Sequence, residues 1–495
     1  MKNFSRLLAS VVALLFAGVG LAFWIAPEPT ALAFGVGAVR DGALAHLRAD
    51  FGGLFVALAL LAGAGALTRR RDALVAAALL LAAVAAGRAL GFLFAEPAGA
   101  AELAIELGGV AVLGFAARSL GRSPGAPAGI PARAVAIGLG ATAAVAIAAA
   151  LALRAPGIAQ SMFDRAATEM SARTNTAPLA DDALRVAVCG SSAPLPSADR
   201  AKACVAVFAG GKFWIVDSGP ESTENLVLWG IPLSEIGGVL LTHFHSDHLG
   251  DLGELQLQTW AGGRREPLAV YGGPGVEGVV EGFNLAYRLD QGYRTGHHGE
   301  SVMPSSAWGM VAHMVELDGP ATPAKDRSAR VYDDGDLRIT ALEVDHAPIE
   351  PSYAYRFDYQ GRSAVVTGDL KYHRPLVDGA RDADLLVSEA ISRTMTKSLE
   401  DAAHEVDRDR TAAIMHDVQD YHISPEEAAT IANDAGVRLL VYYHLLPAPD
   451  GALPRRLFAQ GVDAVRPDDW TIADDGSLYT LPLGSDAIEI GRVDG

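Results

Sequence analysis

The stretch GVLLTHFHSDHLG, residues 238–250, decides how this chain is read. Gly238 to Leu241 is a short apolar run suited to a buried strand, and four possible metal ligands follow it: His243, His245, Asp247 and His248. At a strand end, residues two apart point the same way, so His243 and His245 converge on one cation while Asp247 and His248 face a second. Imidazole and carboxylate are ligands zinc prefers, and three protein groups per ion leave a position open for water. Two such cations roughly 3.5 to 4 Å apart share a hydroxide at neutral pH, because they lower the pKa of bound water. A structural zinc clip is closed by four ligands, whereas this cluster offers four and still needs others, which favours a hydrolytic site. Phe244 and Ser246 read as spacers.

The missing ligands are sought downstream, where short apolar runs end in loops. His346 follows the strand-like run Leu337 to Val344, Asp369 follows the hairpin Tyr353 to Thr367 that turns at Gln360 and Gly361, and His444 follows Val437 to Tyr443. Earlier strands are expected at Leu184 to Val188 and Cys204 to Val216, the latter turning at Gly210 and Gly211 and ending at Asp217. Helical spacing covers Leu249 to Trp260 and Gly275 to Leu289, and Leu385 to Val387 is a further strand. Sheets inside and helices outside, an α/β architecture, fit this order.

With these residues in place, the chain resembles the metallo-β-lactamase superfamily over about residues 184–485, in its αββα form. The segment His346-Ala347-Pro348 through Ser352-Tyr353-Ala354-Tyr355-Arg356, followed by Thr367-Gly368-Asp369, is similar to the ribonuclease Z and arylsulfatase branch. The resemblance implies that His243, His245 and His346 hold one zinc, that Asp247, His248 and His444 hold the other, and that Asp369 bridges them. The same ligands accept other divalent transition metals, with zinc the default. ADLLVSEA (383–390) and HISPEEA (422–428) look like the loops in which ribonuclease Z-type enzymes place a Glu and a His for leaving-group protonation. That gives Glu389 and His422 catalytic roles beside Asp247. Ser424, Pro425 and Glu427 also spell a helix-capping box, so a plain loop position beside a cap is the alternative for His422. Asp217 is expected to orient a ligand histidine. Tyr293, Arg294, His297 and His298 are candidates for substrate contact, with an exposed loop as the default.

The amino-terminal part has another character. Five apolar stretches are long enough, or nearly so, to cross a bilayer: about 7–26, 51–67, 73–95, 103–117 and 134–153. LRADFGGLF (47–55) resembles an uncharacterised family of small four-helix membrane proteins, over about residues 1–121. The expected division is therefore a four-helix transmembrane domain at 1–121, a linker and fifth span at 122–160, a juxtamembrane linker at 161–183, the hydrolase domain at 184–485 and a tail at 486–495. Lys2 and Arg6, Arg69 to Arg71, and Arg118, Arg122 and Arg133 fall on one side by the positive-inside rule. Five spans then put the hydrolase domain outside the cytoplasm, in the periplasm or beyond, with the anchor in the inner membrane. A cleaved signal peptide is the alternative for the first span and leaves that orientation unchanged. Arg88 and Glu106 are expected to pair inside the bundle, as a structural ion pair or as part of a ligand or ion pathway.

Charge bears on substrate and cysteines on compartment. The first 154 residues hold 12 Lys and Arg against 7 Asp and Glu, a net +5 that leaves −23 of the total −18 to the remainder. Nucleic-acid affinity comes largely from cationic neutralisation of phosphates, so a nucleic-acid partner is disfavoured and a small ester is the expected substrate. Cys189 and Cys204, the 2 cysteines, lie on neighbouring strands, where a disulfide in an oxidising compartment and two buried thiols both remain open. The leading reading is a membrane-anchored hydrolase of a phosphodiester or sulfate ester. A lactonase, and a membrane sensor with secondary catalysis, are the alternatives.

Overall fold

The computed structural model describes residues 2–25, 30–31, 47–93, 100–120, 156–172 and 174–493. The expected fifth span at 134–153, its preceding linker and the side chain of Arg88 lie outside the described residues. The chain divides into two compact units, residues 1–172 and 173–495.

In the first unit, α1 (Lys2–Ile25), α2 (Gly53–Thr68, entered through the π-helical turn Leu47–Gly52), α3 (Arg71–Leu93) and α4 (Ala100–Leu120) pack as a ring in which α1 touches α2 and α4, and α3 touches the same two. Phe16 stacks on Phe55 with ring centroids 5.8 Å apart, and Arg6 Nε donates to the carbonyl of Ala66 at the open end of α2 (2.7 Å). Leu14, Leu15, Leu60 and Leu67 project outward, so these helices are apolar on the outside as well as within. Phe4–Ile25 and Ala49–Thr68 are long and apolar enough to cross a membrane, by length and composition. A further helix, α5 (Pro156–Ala172), spans the start of the expected juxtamembrane linker.

The second unit is a sandwich of two sheets with helices on both outer faces. The first sheet runs in the order β15-β14-β1-β2-β3-β4-β5-β6, and the second in the order β13-β12-β11-β10-β9-β8-β7. Their ranges are β1 Ala183–Gly190, β2 Cys204–Ala209, β3 Lys212–Val216, β4 Ile236–Leu240, β5 Leu268–Gly272, β6 Met310–Met314, β7 Ser328–Asp333, β8 Leu337–His346, β9 Ile349–Tyr359, β10 Arg362–Val366, β11 Leu385–Ile391, β12 Leu439–Leu446, β13 Trp470–Ile472, β14 Ser477–Pro482 and β15 Glu489–Arg492. Strand alternation builds both layers at once. Val186 and Val188 face the inter-sheet core with Phe357 and Val387, while Ala187 and Cys189 of the same strand face the outer layer. There they meet helices that include Leu252–Ala261 and Val276–His298, while Pro425–Ala435 covers the other sheet.

Several elements differ from the expectation. The strands β5, β6 and β7 and the short closing strands β13 to β15 were not anticipated: β6, β7, β13 and β15 are sheet edges and lack the unbroken apolar run that marks a strand buried on both faces, and β5 and β14, although interior, are buried only at alternate positions. β15 falls within the expected tail and pairs with β14 through Ser477 to Thr480. The helix expected to end near Leu289 continues to His298, so Tyr293, Arg294, His297 and His298 sit on its last turns and not in a loop. Cys189 and Cys204 are joined by a disulfide that closes a loop of sequence separation 15. Replacing both cysteines by Ala should cost roughly 2–4 kcal/mol of stability, read as a lower unfolding midpoint of the purified protein. An unchanged midpoint would show the bond to be stabilising nothing.

Candidate metal centre

The site forms at one rim of the sandwich. β4 ends at Leu240, Thr242 turns the chain, and one helical turn, Ser246–Leu249, presents Asp247 and His248. His346 ends β8 and Asp369 lies just past β10. Only glycine fits at 368, since a Cβ there would stand 2.5 Å from Thr242 Cβ. That close approach brings Asp369 beside the HFHSDH turn. His444 owes its position to a β-bulge: Glu389 pairs with Tyr443 and Ala390 with Leu445, which leaves His444 unpaired at φ +43°. A bulge re-aims a side chain, and this one turns a fully buried imidazole into the rim.

These placements bring the seven expected ligands together from positions 200 residues apart. The donor atoms of His243, His245, His346 and Asp369 all lie within 4.8 Å of one another, and so do those of Asp247, His248 and His444. Asp369 connects the two sets. Its Oδ2 is 3.8 Å from Nε2 of both His243 and His346, while its Oδ1 is 3.3 Å from His248 Nε2 and 3.4 Å from His444 Nε2. His444 Nε2 is also 3.2 Å from Asp247 Oδ2.

A second network stands behind the ligands. The buried Asp217, itself at φ +58°, accepts from His248 Nδ1 (2.7 Å), from the Thr242 hydroxyl (2.7 Å) and from the Thr242 backbone N–H (2.8 Å). With its proton committed to Asp217, the Thr242 hydroxyl accepts from His243 Nδ1 at 3.1 Å. His346 Nδ1 donates to the carbonyl of Tyr421 at 2.9 Å. The three rings are thereby held in one orientation, each turning Nε2 into the pocket, and at His243 and His346 that nitrogen presents a bare lone pair. Beside them, His422 Nδ1 lies 2.9 Å from Glu389 Oε1, which also accepts the backbone N–H of Leu370 (3.0 Å). The Ser424–Glu427 capping box forms as well, so His422 is both a neighbour of a cap and a buried partner of Glu389.

A model of the β-lactamase superfamily domain matches residues 215–445. The ribonuclease Z of Mycolicibacterium paratuberculosis is 32% identical over 268 residues, covering 54% of this chain and 87% of that relative. The ribonuclease Z of Mycobacterium bovis is 33% identical over 269 residues, with the same two shares. The chain belongs to the metallo-β-lactamase superfamily. Among solved structures, the metallo-β-lactamase fold protein YhfI from Bacillus subtilis covers 60% of this chain and 100% of its own at 24% identity and a TM-score of 0.41. The short form of human tRNase Z covers 60% and 99% at 20% identity and a TM-score of 0.43. This membership makes the protein a metal-dependent hydrolase.

The residues present fit the divalent metals, typically zinc, that serve this superfamily. His243 Nε2, His346 Nε2 and Asp369 Oδ1 are buried and find no hydrogen-bond partner among the described residues. Burial holds His243 well below the usual imidazole pKa and lowers His346 to about 4, so both are neutral donors. Burial would raise Asp247, but the imidazoles of His248 and His444 outweigh it and bring its carboxyl to about 2. At His248 the balance reverses: burial disfavours charge, yet the carboxylates of Asp369, Asp217 and Asp247 hold its pKa well above the ordinary value. Three buried carboxylates thus demand positive charge at this spot, and a divalent cation meets that demand better than one proton.

His297 and His298 are in neither ligand group, and Arg294 pairs with Asp290 on its own helix (2.6 Å). Sequence reasoning missed Thr242 and Tyr421. Tyr421 acts on His346 through a backbone carbonyl, which carries no residue-type signal, whereas the position of Thr242 directly before the motif could have suggested its role. Asp217→Asn should weaken metal retention about 10–100-fold in competition with a chelator. Retention equal to the parent protein would separate Asp217 from the metals.

Proposed function

We propose that this protein is a membrane-anchored binuclear zinc hydrolase that cleaves a small anionic ester, a phosphodiester or sulfate ester in preference to a lactone. The single observation that carries this reading is the Asp369 carboxylate turning one oxygen to each of two histidine-rich donor sets, with the Glu389–His422 pair alongside. His243, His245 and His346 would hold one cation and Asp247, His248 and His444 the other, with Asp369 shared. When bound, such a pair supplies a nucleophilic hydroxide at neutral pH and positive charge for the developing oxyanion.

The chain's own residues do the rest. His422 Nδ1 stands 3.9 Å from Asp369 Oδ2, beside the reacting centre. Burial disfavours its protonated form, but the carboxylates of Glu389 and Asp369 outweigh burial and raise its pKa. Burial pushes the Glu389 carboxyl up in turn. In this reading His422 gives a proton to the departing oxygen, and Glu389 fixes the plane of the ring. The named activity of the ribonuclease Z relatives supports a phosphodiester, while the acidity of the soluble part argues for a small substrate over a polyanion.

For the anchor, the helices Phe4–Ile25 and Ala49–Thr68 and the resemblance of residues 1–121 to a four-helix membrane family support a multi-pass inner-membrane protein. The distribution of arginines supports a hydrolase outside the cytoplasm, and so does the Cys189–Cys204 disulfide, because such bonds persist in oxidising compartments. A reporter joined after Gly495 should be active in its extracytoplasmic form; activity confined to the cytoplasm would reverse the orientation.

Metal analysis of the purified full-length protein should return two equivalents of divalent metal, and a panel of aryl phosphodiester, aryl sulfate and lactone should show turnover of a phosphodiester or sulfate. Turnover of the lactone alone rejects the preference. His422→Ala should lower kcat about 10²–10⁴-fold for an ester with a poor alkoxide leaving group and far less for p-nitrophenolate, with metal content retained. Equal losses on both would deny His422 the role of proton donor.

A further inference from the structure

The segment that the disulfide closes, residues 190–203, carries a cation that the metal centre does not use. Leu445 N donates to the carbonyl of Ser191 (2.9 Å), so this segment lies directly against the His444 strand. Its far end returns to the HFHSDH turn: Lys202 N donates to Pro220 O (3.0 Å), and a Cβ built on Gly219 would stand 2.2 Å from Asp247 O and 2.7 Å from Lys202 Cβ. Lys202 therefore borders the turn that supplies Asp247, and is one bridge, through Ser192, from the strand that supplies His444.

Its ammonium meets neutral acceptors, Ser192 Oγ at 3.1 Å and Leu195 O at 3.0 Å, and among the described residues it forms no ion pair. Two other basic side chains around the site are committed: Lys325 bridges Asp345 (2.8 Å) and Glu350 (2.7 Å), and Arg393 pairs with Glu427 (2.9 Å). A half-buried ammonium held by two neutral oxygens keeps a donor and its full charge for an incoming anion.

The same segment meets an aromatic wall. Leu195 packs with Ala193, Ile391, Val418 and Leu446 into a small apolar cluster that also takes in Tyr421. Tyr421 is half-buried. Its ring lies 5.2 Å from the His346 ring and 4.8 Å from that of His422, so it flanks both a metal ligand and the proton donor.

We infer that Lys202 and Tyr421 are specificity-determining residues, which select an anionic ester whose leaving group carries an aromatic ring. The inference rests on the hydrolase reading above and refines it. The leaving group that His422 protonates departs along the face of Tyr421, with Leu195 completing an apolar wall, while Lys202 draws the negative charge of the ester toward the rim. Neither residue touches the water that attacks, so both act on binding more than on the chemical step.

The test uses the full-length, metal-loaded protein. Lys202→Met should raise KM for bis(p-nitrophenyl) phosphate about tenfold, the usual effect of losing a charge-assisted hydrogen bond, with kcat little changed. It should leave KM for neutral p-nitrophenyl acetate as it was, and Lys202→Arg should recover most of the loss. Tyr421→Leu should raise KM for the aryl diester and leave that for a methyl-leaving diester unaltered, which separates recognition from misfolding. Binding of phenyl phosphate, measured by calorimetry, should weaken in both variants, and this reads the rim even where no turnover is found. Absence of turnover with intact phenyl phosphate binding would count against the hydrolase reading alone. Equal KM increases on charged and neutral esters, or unchanged phenyl phosphate binding in Lys202→Met, would overturn the assignment.

Discussion

The buried carboxylate of Asp369 sets the terms for the rest of this protein. A charged group cannot be taken out of water without compensation, and its two oxygens face opposite ways, toward His243 and His346 on one side and His248 and His444 on the other. Asp217 and Asp247 add two more carboxylates within the same few ångströms. No arrangement of neutral imidazoles balances that charge, so the pocket is suited to divalent metal. The ionisation of the surrounding groups follows: neutral His243 and His346, and a His248 that draws a proton when nothing better is present.

The fold meets this constraint by spending regularity at strand ends. Asp217 and His444 both occupy left-handed backbone, His444 is squeezed out of its ladder, and Gly368 allows an approach that any other residue would block. Such conformations persist only where surrounding structure over-determines them. Here two sheets packed face to face, through aromatic residues such as Trp214, Tyr355 and Phe357, supply that rigidity. The hydroxyl of Tyr355 reaches from the second sheet to the carbonyl of Leu241 (2.8 Å), so the inter-sheet core itself grips the strand that launches the motif.

Around the rim, the candidate ligands and the proposed recognition residues come from different places. The ligands descend from strand ends held by the core, whereas Lys202 and Leu195 sit on a segment held by the disulfide and by Arg200, which pairs with Asp450 (2.9 Å) and Asp474 (2.5 Å). A loop fixed in this way can vary in sequence without disturbing the metal ligands, which is how one scaffold serves different substrates.

Sequence alone named the seven candidate donors and the sheet-rich class, because the HxHxDH spacing and the apolar runs before His346, Asp369 and His444 are local features that survive without coordinates. It also carried the capping box after His422 and the hairpin at Gly210 and Gly211, since turns and caps are decided by neighbours in the chain. The edge strands were not legible, because their residues answer to solvent on one side and carry no buried-strand pattern. Whether Cys189 and Cys204 bond, which oxygen of Asp369 meets which histidine, and the packing of Leu195, whose carbonyl Lys202 holds, in one cluster with Tyr421 depend on distances between segments far apart in sequence. Only the packing of the two sheets fixes those distances, for spacing along the chain says which residues can share a face and nothing about which faces meet.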